Sequence, residues 1–198
     1  MKKFELTTEF ITNAFGKKLF RIKALVEFGD VKAGELGGYV EKEENVSQDG
    51  NAWVSGDAEV YGDAEVYGDA WVHGNAKVYG NAEVSGDALV YGNAWVSGDA
   101  RVYGNAWVSG NARVSGNARV YGDADYALVQ GFGTEFRCTT FYSGKNKKIM
   151  VNCGCFHGDL EGFRKQVKET RNGKIAKEYL MIADLMEYHF TSEDSSNE

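Results

Sequence analysis

The sequence predicts a mainly β fold: a triangular parallel β-helix, capped at its N-terminal end by β structure and followed by a small ββαα appendage. Three observations predict it. From Ala52 to Asp123 the chain is twelve uninterrupted copies of A-x-V-x-G-[DN]. The 198 residues include 25 glycines and no proline. On either side the six-residue period gives way to ordinary strand and helix patterns. A short, strict period of this kind marks a β-helix, because helical solenoids need far longer repeats.

Each element of the hexad has a physical reason. Ala and Val, two apart on a strand, point the same way, and the two variable positions point the opposite way. Gly followed by Asp or Asn bends the chain, since Gly enters left-handed φ freely and Asx side chains bond their own backbone. One hexad is therefore one side and one corner. Three sides close an 18-residue coil, so the twelve units make four coils.

Residues eighteen apart then stack, and the first variable position sorts into three columns: Trp53, Trp71, Leu89 and Trp107; Glu59, Lys77, Trp95 and Arg113; Glu65, Glu83, Arg101 and Arg119. The first column is apolar, and the other two run from acidic to basic along the chain. Tyr67, Tyr103 and Tyr121 share the third side with Ser85. An apolar column of this size is expected to be covered by another part of the chain or a second copy, or to serve as an interface. Stacking of a sugar or base on the Trp rings is the alternative. The candidate binding surface is thus Trp53, Trp71, Leu89, Trp107, Trp95, Tyr67, Tyr103 and Tyr121.

The flanks read as separate regions. Residues 1–39 form the β cap, with two strands around NAFGKK and apolar alternation at Phe20, Ile22 and Ala24. The solenoid is placed at 40–130, with Val40 and Val46 in phase with Ala52 as an imperfect first coil. Residues 131–190 hold a hairpin turning at GKNK and two helices. Asp159 caps the first, which runs to about Thr170, and Ile175, Tyr179, Ile182, Met186 and Phe190 stripe the second. A two-stranded hairpin is too small to bury both helices, so packing against the solenoid is expected. The tail, 191–198, is expected to be disordered.

Bulk numbers narrow the function. Net charge is −7. Residues 1–51 carry 8 basic and 9 acidic side chains, 52–123 carry 4 and 9, and 124–198 carry 10 and 11. The repeat holds most of the imbalance, which argues against direct nucleic-acid binding, although an acidic rod can imitate nucleic acid. Three cysteines give no disulfide framework, and no stretch has the length of a signal or membrane segment. The reading is a cytoplasmic, soluble chain with no membrane partner.

V-Y-G-D-A-E resembles the hexapeptide repeat of left-handed β-helix proteins, aliphatic at one position and small four later. The run from R-I-K-A-L-V-E-F-G-D-V to G-D-A-x-V-Y-G is similar to uncharacterised proteins of phage and gut-bacterial genomes. The first resemblance implies a left-handed prism and, in many members, acyl transfer with a histidine base at a subunit interface. The prism has one histidine, His73, in a Tyr/Ser slot, and no loop between coils. It reads as a surface residue and a weak catalytic candidate. A solenoid zinc site would need three histidines. Cys138, Cys153, Cys155 and His157 have zinc-ligand chemistry, but an extended strand spaces alternate residues roughly 6.5 Å apart, so buried thiols are the simpler reading. The expectation is a non-catalytic binding or scaffold protein with no cofactor, engaging a protein partner or itself as a homo-oligomer. Acyl transfer through His73, nucleic-acid mimicry and a small-ligand sponge are the alternatives.

Overall fold

A computed structural model describes residues 2–122, 125–134, 137–144 and 147–191. The chain divides into two compact units, Met1–Asp123 and Ala124–Glu198. In the first unit the predicted stacking holds residue by residue. Trp53, Trp71, Leu89 and Trp107 align in one parallel sheet, and Glu65, Glu83, Arg101 and Arg119 in another. Glu59, Lys77, Trp95 and Arg113 align in the third. Three bonds repeat on most sides: Trp53 N donates to Ala70 O (3.0 Å), Ser55 N to Val72 O (2.9 Å) and Asp57 N to Gly74 O (2.9 Å). Every repeat Ala and Val from Ala52 to Val120 is buried. The lining is dry, as the spacing requires.

The corner glycines are needed twice over. Those from Gly50 to Gly116 have φ between 64° and 77°, a region costly for a residue with a Cβ. They also stack closely: a Cβ on Gly86 would lie 2.9 Å from Gly104 N.

The first coil departs from the expected phase. Val40 pairs with Val60 and Val46 with Val66, so both sit at Val levels, twenty residues below their partners. Gly50 nevertheless stacks on Gly68. The two extra residues therefore fall within Ser47–Asp49, and they have a use. Gln48 Oε1 accepts from Lys3 N (2.7 Å) and Phe4 N (3.3 Å), and its Nε2 donates to Phe4 O (3.1 Å). The enlarged corner ties the N-terminal strand to the prism.

That strand, β1 (Phe4–Thr12), pairs antiparallel with β2 (Lys18–Ala24), which pairs antiparallel with β3 (Leu36–Val40). Strand β3 lies parallel to the Glu59–Gly62 strand, so the cap extends one solenoid sheet to seven strands. The predicted turn follows Asx chemistry, with Asn13 Oδ1 accepting from Phe15 N and Lys17 N at 3.0 Å.

An open coil leaves carbonyls that a further coil would have bonded, and side chains replace it. Asn45, fully buried, donates to Gly62 O (3.1 Å) and Ala64 O (2.8 Å). Lys3, 4% exposed, donates to Gly50 O (3.2 Å) and Ala52 O (2.9 Å). Gly37 and Gly38 let β3 close over the end, since a Cβ on either would meet Val54 O or Ala58 O at under 3 Å.

The second unit corrects the expected boundaries. The solenoid does not reach residue 130, because Tyr126–Phe132 pairs antiparallel with Arg137–Ser143, which spends its backbone groups on a different sheet. Ile149–Cys153 and Phe156–Asp159 complete four antiparallel strands in sequence order. The appendage is thus a four-stranded sheet with helices α1 (Leu160–Thr170) and α2 (Gly173–Thr191), not a single hairpin with two helices. Doubling the strands gives the helices a core within their own unit: Phe141, Val151, Leu160, Phe163, Val167, Ile182, Ala183 and Met186. Asp159 caps α1 as predicted, Oδ1 accepting from Gly162 N at 2.7 Å. Arg164 clamps the helices by donating to Asp184 (2.7 Å) and Glu187 (2.8 Å). Within the predicted turn GKNK, Lys145 and Asn146 lie outside the described residues, as does the expected disordered tail beyond Thr191. Thr191 itself ends α2.

Candidate functional site

The apolar column changes character along the prism. Trp53 is 1% exposed, edge-on to Phe4 (6.2 Å between ring centroids) and Phe28 (5.4 Å). It belongs to the core of the cap. Trp71 and Leu89 are half-buried, and Trp107 is 50% exposed. The column is covered by this chain at its first member and opens to solvent toward its last. The covering side chains were not legible as such, because nothing in their spacing ties Phe4 or Phe28 to the repeat.

The second side carries an aromatic strip that column-sorting of the first variable position missed. Tyr61 and Tyr79, both from the second variable position, stack with centroids 5.0 Å apart and planes 3° from parallel. Phe15, 66% exposed at the cap's turn, approaches both rings at 6.4 Å. Tyr79 meets Trp95 edge-on at 6.3 Å, and the Arg113 guanidinium lies 4.6 Å from the Trp95 ring centre. The strip thus ends in a cation–π pair. Beside it, Lys77 bonds Glu59 at 2.7 Å. Sorting the second variable position by eighteens would have found the tyrosines, though not Phe15.

The third side is polar and held by its own charges. Arg101 bridges Glu83 at 2.9 Å, and the exposed Tyr67 donates to Glu83 at 3.3 Å. Tyr103 meets Tyr121 edge-on at 5.1 Å, with Tyr121 well exposed. Tyr67, Tyr103 and Tyr121 therefore share one side, as the spacing requires, away from the Trp column.

His73 stacks on Tyr91, rings 5.1 Å apart and 2° from parallel. Burial lowers its pKa. The ring is one rung of the aromatic decoration, and among the described residues no carboxylate bonds to it.

The thiol cluster is not assembled as the alternation suggested. Cys153 pairs with Phe156 across a two-residue turn formed by Gly154, at φ 60°, and Cys155. Cys155 therefore sits on the turn, exposed, and His157 lies on the next strand opposite Asn152. His157 Nδ1 is 2.6 Å from Asn152 Oδ1, and Cys153 Sγ accepts from Thr139 Oγ1 at 3.1 Å. Cys138 is half-buried on the neighbouring strand. Among the described residues no group of three or more His, Cys, Asp or Glu side chains could hold a metal ion. Nor is any described helix long and apolar enough to cross a membrane.

A family model described as YdcK Beta solenoid repeat matches residues 82–98, 94–110 and 112–124. With the stacked parallel sheets, that match settles the architecture. The chain is a β-solenoid repeat protein. The match lies within the repeat but for its last residue, 124, and touches neither the cap nor the helices. No curated protein matches the chain.

Proposed function

We propose that this β-solenoid is a non-catalytic binding or scaffold protein whose apolar side, Trp71–Leu89–Trp107, engages a protein partner or a second copy of the chain. The observation that carries the reading is the graded exposure of the column, from buried Trp53 to half-exposed Trp107. The first ring stabilises the cap, whereas the last adds nothing to the dry lining yet keeps a large apolar surface toward solvent. Aromatic side chains so placed are favoured interface anchors. The side is also rigid, because three backbone bonds per hexad hold each coil to the next, so an interface here loses little conformational entropy on forming.

The proposal extends to a phage origin and to a host protein as partner, with self-assembly through the same side as the competing arrangement. The paired Trp71→Ser and Trp107→Ser variant tests the surface. It should keep the β-type circular dichroism spectrum while changing molar mass by light scattering, or losing a partner captured by the parent protein. Unchanged mass together with unchanged capture would remove the Trp side from the function.

A further inference from the structure

The C-terminal unit contains a cleft unrelated to the solenoid sides. It has a volume of about 50 Å³, walled by Phe156, Phe163 and Val167, with Arg137 and Arg171 at its polar edge. A smaller recess of about 10 Å³, lined in part by Gly133 and Thr134, meets it at Arg137, Arg171 and Tyr179. Two cavities therefore share one pair of guanidiniums.

Neither guanidinium has a carboxylate partner among the described residues. This sets them apart from Arg164 and Arg101, which are both engaged. Glu178, next to Tyr179 in sequence, is turned to Lys174 at 3.5 Å. Arg137 is half-buried, so an anion beside its guanidinium is less screened than in open water. The backbone also makes room for it. Gly154, at the left-handed turn, leaves room for it, since a Cβ there would fall 2.5 Å from Arg137 Nη1 and 3.1 Å from Cδ. Tyr179 holds the other wall by donating to Phe132 O at 3.2 Å.

We propose that this cleft binds a small phosphate monoester, the phosphate between Arg137 and Arg171 and the organic body against Phe156 and Phe163. Two guanidinium charges match a phosphate near its dianionic form, and each planar fork can bond two of its oxygens. The enclosed volume holds roughly four water-sized groups, enough for the phosphate, so the organic body lies along the aromatic wall on the open side of the cleft. The aromatic wall favours an ester over the bare ion.

Titration calorimetry of the full chain at low salt, with phenyl phosphate and inorganic phosphate as probes, tests this. One-to-one binding of phenyl phosphate is expected, tighter than inorganic phosphate. Arg171→Gln, on an exposed residue, and Arg137→Gln should each weaken it about tenfold, whereas Lys174→Gln should not. Circular dichroism checks that each variant folds, and Arg171→Gln decides the matter should Arg137→Gln not fold. No saturable binding, or binding indifferent to the arginines, would overturn the site. Equal affinity for both probes would overturn the assignment of the organic body.

Discussion

Lys3 gives the sharpest test of how the solenoid's open end is closed. Its ammonium is buried against Gly50 O and Ala52 O and lies 4.8 Å from the centre of the Phe28 ring. Burial holds its pKa down from 10.5 to about 8, against the opposing pull of Asp49 and Asp69. A lysine with a lowered folded pKa reverses the usual sign. Between pH 8 and 10.5 the unfolded chain binds more protons than the folded one, so stability rises with pH across that window. Below pH 8 both states are protonated and the burden is full, and above 10.5 both are neutral and it vanishes. The shift corresponds to about 3 kcal/mol. Lys3→Met removes the titration but leaves the two carbonyls unbonded, at about 1–3 kcal/mol. Urea unfolding of parent and variant, followed by tryptophan fluorescence from pH 7 to 10.5, isolates the term, since other groups cancel in the difference. The parent should gain on the variant by up to about 3 kcal/mol as pH climbs through the window. A difference that stays flat or falls would refute the buried, cap-closing ammonium.

Three further outcomes follow from the same packing. Gly86→Ala places a Cβ at positive φ and 2.9 Å from Gly104 N, so a loss of about 1–3 kcal/mol is expected in thermal or urea unfolding. Gly122→Ala, where a Cβ would meet nothing within 4 Å, should change stability by less than about 0.5 kcal/mol. Gln48→Ala strips the partners from Lys3 N, Phe4 N and Phe4 O. It should cost about 2–3 kcal/mol and speed amide exchange in β1 while leaving the amides of the later coils protected.

The hexad alone determined the prism: its 18-residue coil, the Ala–Val lining, the three columns and the corner glycines from Gly56 to Gly116. A strict period converts sequence distance directly into spatial neighbourhood, so Trp71 must lie on Trp53 and Leu89 on Trp71. The helix cap at Asp159 and the stripe through Tyr179, Ile182 and Met186 were legible for the same local reason. Only the tertiary structure decided what lies outside any period. Gln48 reaches Lys3 across 45 positions, and Tyr179 reaches Phe132 across 47. Phe4 and Phe28 turn Trp53 from surface into core, Gly154 breaks the cysteine alternation, and the strand at Tyr126–Phe132 gives the helices a sheet of their own. Such contacts depend on which apolar surfaces remain uncovered once the local elements have formed, and no spacing rule carries that information.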